Sequence, residues 1–270
     1  MSEARRRRRA TFAATIVGML VAGCAAVRPP APASAPTATP RPTPSPAPAP
    51  TAARRNVVLI GDSTTFGTPE PRPGVRGAIQ SPYSPGATLE VLLAHVEPLP
   101  DAGGTAWRGA RVHDLGVGAS TTEHWLSYPT AGCGTLLEFF PVVKAACREK
   151  VAWVDAVSPA IGEAPIDAVI VDLGLNDLLI TQDPAATVSR LLRIRKALAP
   201  VPVVFFPPIA PPEGPRGDWP QRVRAAMVKR KLFEEPQYPA YVPTFDDLHP
   251  TDGGYAAKAA LWLDALRKLP

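Results

Sequence analysis

In "NVVLIGDSTTFGTPE", residues 56–70, an apolar run from Val57 to Ile60 stops at Gly61 and delivers Asp62 and Ser63 immediately afterwards. An uninterrupted aliphatic run of this length, bounded by a glycine, reads as a strand buried on both faces, as in a parallel sheet. Three later runs repeat the pattern: "ARVHDL" at 110–115, "DAVIVDL" at 167–173 and "VPVVFF" at 201–206, with "YVPTF" at 241–245 as a candidate fifth. Helical patterns lie between and after them. "SPGATLEVLLAHV" opens on Ser84 as a cap with Pro85 at the first helical position, and "DPAATVSRLLRIRKALAP" repeats that opening at Asp183 and Pro184. In the second of these, Val188, Leu191, Leu192 and Ile194 fall near one stripe. A further helix is expected over 135–150, another in "DWPQRVRAAMVKRKLFEE", and a last one from about Asp252 with Tyr255, Ala259, Leu263 and Leu266 facing inward. This alternation predicts an α/β domain in three α/β/α layers, with a parallel sheet of about five strands.

The two ends of the chain differ sharply in composition. "MSEARRRRRATFAATIVGMLVAGC" joins a block of five arginines to a short apolar segment, Ala10 to Ala22, and so reads as an export signal over residues 1–23. The apolar segment is too short for a confident membrane span. "VAGC" at its end resembles a bacterial lipobox, which makes Cys24 the acylated first residue of the mature chain; an ordinary secretory signal with an incidental cysteine is the rival reading. The formal charge of +5 is concentrated here, since residues 1–23 hold five arginines and one glutamate, so the high isoelectric point is no argument for nucleic acid. From Pro29 to Pro50 there are ten prolines in twenty-two residues and no large apolar side chain, the composition of an extended stalk over 24–54. Residues 55–270 remain for one domain with a substantial core. Cys133 and Cys147 are the two cysteines after Cys24; export permits a disulfide between them, and two separate buried thiols are the alternative.

A serine hydroxyl needs a base within hydrogen-bond reach, and the base needs an acceptor to orient it. Of the four histidines, His249 stands out: "TFDDLHPTDGG" sets it between the last strand-like run and the last helix, with Asp246 three residues before it. Folding back, the Asp246 carboxylate can reach imidazole Nδ1 while Nε2 faces Ser63; Asp247 is the competing acceptor. The oxyanion created by the attack needs donors already aimed at it. "VDLGLNDLL" supplies Gly174, Asn176 and Asp177: Asn176 as a side-chain donor, Gly174 for close backbone approach, Asp177 to hold the loop. "HDLGVGAST" supplies the amide of Gly118. The irregular segment from Gly67 to Pro82 is expected to form a wall of the pocket.

Taken together, "GDST", Gly118 in "GVGAS", "GLND" and "DDLHPTDGGYAAKA" resemble the four sequence blocks of the SGNH, or GDSL-like, hydrolases, over the domain from Asn56 to Leu269. The resemblance implies a flavodoxin-like sheet, a triad of Ser63, His249 and Asp246, and an oxyanion hole from the Ser63 amide, the Gly118 amide and the Asn176 side chain. Two departures stand out: threonine follows Ser63 where many members have leucine, and His113 occupies a place in the second block often held by asparagine. Gly116 is the fallback for Gly118, and His113 is read as a packed or loop-anchoring residue. Asp62 is assigned to the turn that holds Ser63.

The activity so implied is hydrolysis of carboxylic esters through an acyl-enzyme, with no metal and no other cofactor. Small esters are the first substrate class. O-acetylated carbohydrate is the alternative, for which Trp107, Trp125 and Trp219 could form a stacking surface. A binding lipoprotein that kept the fold without turnover is the third reading. The expected partners are an ester substrate and, through acylated Cys24, a lipid bilayer at the bacterial cell surface or in the periplasm. A monomer is expected.

Overall fold

The computed structural model describes residues 54–69, 80–81, 83–95, 107–211, 213–233 and 242–269. The export signal, Cys24, the proline-rich stalk and residues 70–79 of the loop beyond Ser63 lie outside the described residues.

Strand β1, Asn56–Gly61, is buried along its whole length, and Val57 through Ile60 have no exposed surface. It pairs in parallel with β2, Arg111–Asp114, on one side and with β3, Ala168–Asp172, on the other. Beyond β3 lies β4, Val203–Phe205, also parallel. The order is therefore β2-β1-β3-β4. The direction of winding reverses at β1, and in open sheets of this kind the crevice beyond the carboxyl ends of the strands at such a reversal is where ligands bind. Gly61 is opposite Asp172 in the register, so Ser63 and the turn after β3 leave the sheet side by side.

Helices cover both faces. Helix α1, Ser63–Phe66, is a single turn. Helix α2, Pro85–Ala94, is capped by Ser84, and α3, Thr122–Trp125, by Thr121. Helix α4, Pro141–Glu149, and the short α5, Val157–Ala160, follow. Helix α6, Pro184–Leu198, has Asp183 as its cap, as its sequence indicates. Helix α7 is Trp219–Lys229 and α8 is Asp252–Arg267, the latter capped by Thr251. Helices α2 and α8 pack together, as do α6 and α7, giving the three α/β/α layers. The inward face of α8 holds Tyr255, Ala259, Leu263 and Leu266 as expected.

Three details differ from the sequence reading. Four strands, not five, occur among the described residues; Thr244 makes one isolated antiparallel bridge to Pro250. The prolines in "YVPTF" and after His249 turn the chain too tightly for a ladder. The segment expected as one helix over 135–150 is split into a 3₁₀ turn, Leu136–Phe139, and α4. Pro141 supplies the reason: it biases the residue before it away from helix, and Phe140 sits at φ −77°, ψ 124°. Finally β2 is half-exposed rather than buried, because it forms the edge of the sheet. Cys133 and Cys147 are joined by a disulfide that ties the 130–135 turn to α4.

Gly61 is required by close packing. A Cβ there would stand 1.8 Å from Thr65 Oγ1 and 2.4 Å from Thr65 Cβ. Thr65 is fully buried and donates to Asp172, so it has nowhere to move. Gly61→Ala is expected to destabilise the domain by about 1–3 kcal/mol in urea unfolding. Gly253→Ala, whose new methyl meets nothing closer than 3.9 Å, is the control and should leave stability equal or higher.

Candidate active site

The turn that carries Ser63 is built by local hydrogen bonds. Asp62 caps α1, its Oδ1 accepting from the Thr64 amide and the Thr64 hydroxyl, both at 2.9 Å. Gly67, at φ +82°, closes the same turn. Ser63 is thereby held at the first position of α1, at the carboxyl end of β1, with its amide free of any intramolecular acceptor among the described residues.

The segment before α8 folds over this turn. Asp246 Oδ1 accepts from the amides of Leu248 at 3.1 Å and His249 at 2.6 Å, so a carboxylate three residues upstream shapes the bend. Asp246 Oδ2 meets His249 Nδ1 at 2.7 Å, and His249 Nε2 lies 3.0 Å from Ser63 Oγ. Phe245 stacks on the imidazole, with centroids 5.9 Å apart. Asp247, the competing acceptor, instead takes the left-handed backbone position of the bend at φ +59° and makes no contact with His249 Nδ1. Burial pushes the Asp246 carboxyl up, but the hydrogen bonds from the His249 side chain and from the His249 and Leu248 amides outweigh it, leaving the group below its ordinary value.

Beyond β2, the two candidate glycines separate cleanly. The Gly116 amide donates to Asp114 Oδ1 at 2.9 Å, whereas the Gly118 amide has no acceptor among the described residues and open space on its Cα side. His113 Nε2 bonds Asn56 Oδ1 at 3.0 Å, an anchoring contact on the side of the sheet away from Ser63. Beyond β3, Asn176 is buried, with Nδ2 donating to Asp62 Oδ2 at 3.2 Å and to the Ser120 carbonyl at 3.3 Å. Gly174, at φ +114°, turns its carbonyl to the Trp219 indole Nε1 at 2.8 Å. Asp177 accepts from the Thr122 amide at 3.0 Å and from the Thr122 hydroxyl, so it fastens the start of α3 rather than its own loop.

The sequence reading missed three residues. Arg216, from the "PPEGPRGD" loop, donates through Nη2 to Asn176 Oδ1 at 2.8 Å. Lys258, almost wholly buried on α8, forms an ion pair with Asp172 at the end of β3 and donates to the Thr64 carbonyl at 3.2 Å and hydroxyl at 2.9 Å. The available signals were an acid closing the apolar run "AVIVD" and a lysine three residues after Tyr255, on the inward stripe of the last helix. Arg216 has no comparable signal, because its loop has no periodicity. Trp107, Trp125 and Trp219, which could have formed a stacking surface, are all buried, at 2%, 0% and 1% exposure, with the Trp125 indole spent on Ser120.

Two carboxyls near the strand ends titrate far from their usual range. Burial, reinforced by Asp172 and opposed by Lys258 and Thr64, pushes Asp62 up to about 6. Burial likewise pushes Asp114 up to about 7, against the opposing hydrogen bond from the Gly116 amide and the charge of Lys258.

Comparison with known proteins gives the following. No protein-family model matches the sequence, and no curated protein matches it. Among solved structures, a carbohydrate acetylesterase from Sinorhizobium meliloti is 17% identical with a TM-score of 0.49, covering 79% of this chain and 98% of its own. An aryl esterase of M. smegmatis is 16% identical with a TM-score of 0.49, over 80% of this chain and 100% of its own. An acetylxylan esterase from Geobacillus stearothermophilus is 20% identical with a TM-score of 0.46, over 80% and 95% respectively.

Removing one partner of a buried ion pair strands the other charge. Lys258→Met should therefore cost about 3–5 kcal/mol in urea unfolding, and adding Asp172→Asn should recover the larger part; equal losses in the single and double variants would show that the charge on Asp172 is not what matters. The raised Asp114 carboxyl binds its proton more tightly folded than unfolded, so stability falls as pH rises from 3.8 to about 7. Melting temperatures across that window should fall less steeply in Asp114→Asn than in the wild type.

Proposed function

We propose that this chain is a serine-dependent hydrolase of carboxylic esters of the SGNH, or GDSL-like, kind, with Ser63 as nucleophile, His249 as general base and Asp246 as its orienting acid. One observation carries the reading: the continuous line from Asp246 Oδ2 to His249 Nδ1 at 2.7 Å and from His249 Nε2 to Ser63 Oγ at 3.0 Å. A carboxylate held ionised beside Nδ1 keeps the proton there and leaves Nε2 as the acceptor for the serine proton. Ser63 Oγ attacks the ester carbonyl, His249 takes the proton and returns it to the departing alcohol, and water repeats the sequence on the acyl-enzyme.

Three donors are assigned to the developing oxyanion: the amides of Ser63 and Gly118, which have no acceptor among the described residues, and the Asn176 NH₂. The bonds of Asn176 to Asp62 and Ser120 are long, at 3.2 and 3.3 Å, so one hydrogen can be given up to the substrate at small cost. Asp62 and Lys258 hold the nucleophile turn and take no part in proton transfer. Small esters are the first substrate class; Trp107, Trp125 and Trp219 are buried and so offer no platform for an O-acetylated sugar.

We further propose export and lipid tethering through Cys24 at the bacterial cell surface or in the periplasm. The lipobox resemblance and the proline-rich stalk support this, and the Cys133–Cys147 disulfide suits an oxidising compartment.

A chromogenic ester series of increasing acyl length, run beside acetylated xylan, tests the function. Ser63→Ala should abolish turnover with an unchanged melting curve, and near-normal activity in that variant would end the proposal. Asn176→Ala should lower kcat by about 10²–10³. Saturable ligand binding without hydrolysis by the wild type would mean a binding module on this fold.

A further inference from the structure

We propose that Arg216 is a positioning residue for Asn176: its guanidinium, donating to Oδ1, holds the carboxamide with its NH₂ toward Ser63 and makes that NH₂ the stronger donor. The proposal rests on the hydrolase reading of Ser63 and His249 given above.

A carboxamide can be turned end for end with little change in shape, so its orientation depends on its neighbours. Here Nδ2 faces two acceptors, Asp62 Oδ2 and the Ser120 carbonyl, and Oδ1 faces one donor, Arg216 Nη2. The three contacts are unequal. The two on the NH₂ side are long, whereas the charge-assisted bond to Arg216 is short at 2.8 Å. During attack on an ester, a hydrogen of Nδ2 must leave Asp62 or Ser120 for the oxyanion, and the contacts that orient the amide at rest are thereby weakened. The Arg216 bond lies on the opposite end and persists. Drawing electron density toward Oδ1 also makes the Nδ2 hydrogens more positive, as in any chain of hydrogen bonds.

The fold brings Arg216 to this place by two anchors. It lies in the connection between β4 and α7, in which Gly214 packs so tightly on the His249 bend that a Cβ would stand 2.4 Å from the Asp247 carbonyl oxygen. At the far end of the loop, the Trp219 indole is bonded to the Gly174 carbonyl. One loop thus touches both the segment carrying His249 and the segment carrying Asn176. Arg216 is half-buried, and its Nε is buried with no acceptor among the described residues. A guanidinium held this way for packing alone would be a net cost, which the contact to Asn176 explains.

The test is a double-mutant cycle on the full chain in detergent, using the best chromogenic ester, with melting curves to confirm folding. Arg216→Ala should lower kcat by about 10-fold to 10², part of what removing the donor itself costs, with KM changed less than about 2-fold because the effect lies in the transition state. In the Asn176→Ala background the same change should have almost no further effect, and guanidinium salt should restore part of the lost rate in Arg216→Ala but none in the double variant. An equal loss in both backgrounds, or wild-type kcat in Arg216→Ala, overturns the proposal. If the wild type hydrolyses no ester, the hydrolase reading falls by itself, and the side-chain NH₂ resonances of Asn176, assigned by their loss in Asn176→Ala, decide the positioning. They should shift and exchange faster with water in Arg216→Ala than in Arg216→Lys; unchanged resonances overturn it.

Discussion

The ion pair between Lys258 and Asp172 is the constraint around which the site is arranged. It joins the middle of α8 to the end of β3, and the same ammonium reaches the Thr64 carbonyl and hydroxyl inside the turn that carries Ser63. Because His249 precedes α8 by only a few residues, anchoring that helix against β1 and β3 sets how far the imidazole stands from Ser63. Buried pairs of this kind add little net stability over an apolar replacement, and their best-attested use is to specify one arrangement among several. In this protein the arrangement specified is the meeting of two chain segments separated by 186 residues.

The neighbouring charges follow from that anchoring. Asp62, Asp114 and Asp172 all stand near the carboxyl ends of the strands, and one lysine serves the three. Asp172 holds the direct contact, and burial, which the more distant lysine charge only partly offsets, makes Asp62 and Asp114 keep their protons to unusually high pH. Asp246 is the opposite case: partly exposed and fully bonded by His249 and two amides, it stays ionised in acid. Carboxyls of both kinds therefore occur around one serine, one set holding the turn that carries it and the other bonded to the imidazole beside it. On the flank of the site, Phe66 of α1 meets Phe140 edge-on at 5.3 Å, and the adjoining 3₁₀ turn exposes Leu136, Leu137 and Phe139. The disulfide fastens this apolar segment to α4.

Much of the frame was legible from local chemistry. Val57 through Ile60 could only be a buried strand, Ser84, Asp183 and their following prolines could only open helices, and the Asp-x-x-His bend closes on itself through hydrogen bonds three residues long. Misreadings came where local and non-local preferences competed. Pro141 broke a helix whose apolar period continues across it, and β2, with only Val112 apolar among its four residues, sits half-exposed at an edge where its Arg, His and Asp side chains are accommodated. Of the two places open to the three tryptophans, a sugar platform or the core, the structure has the core, because an indole's large apolar area outweighs the one hydrogen bond it needs.

What the sequence by itself determined was the order of strands and helices, the caps, the residue types at the strand ends and the internal geometry of the His249 bend. All of these rest on interactions within a few residues of one another. Only the tertiary structure decided that Arg216 meets Asn176 and that Lys258 meets Asp172 and Thr64. Each of those outcomes depends on contacts between segments far apart in the chain. Periodicity can show that a residue faces inward, but what it meets there is set by how the layers pack.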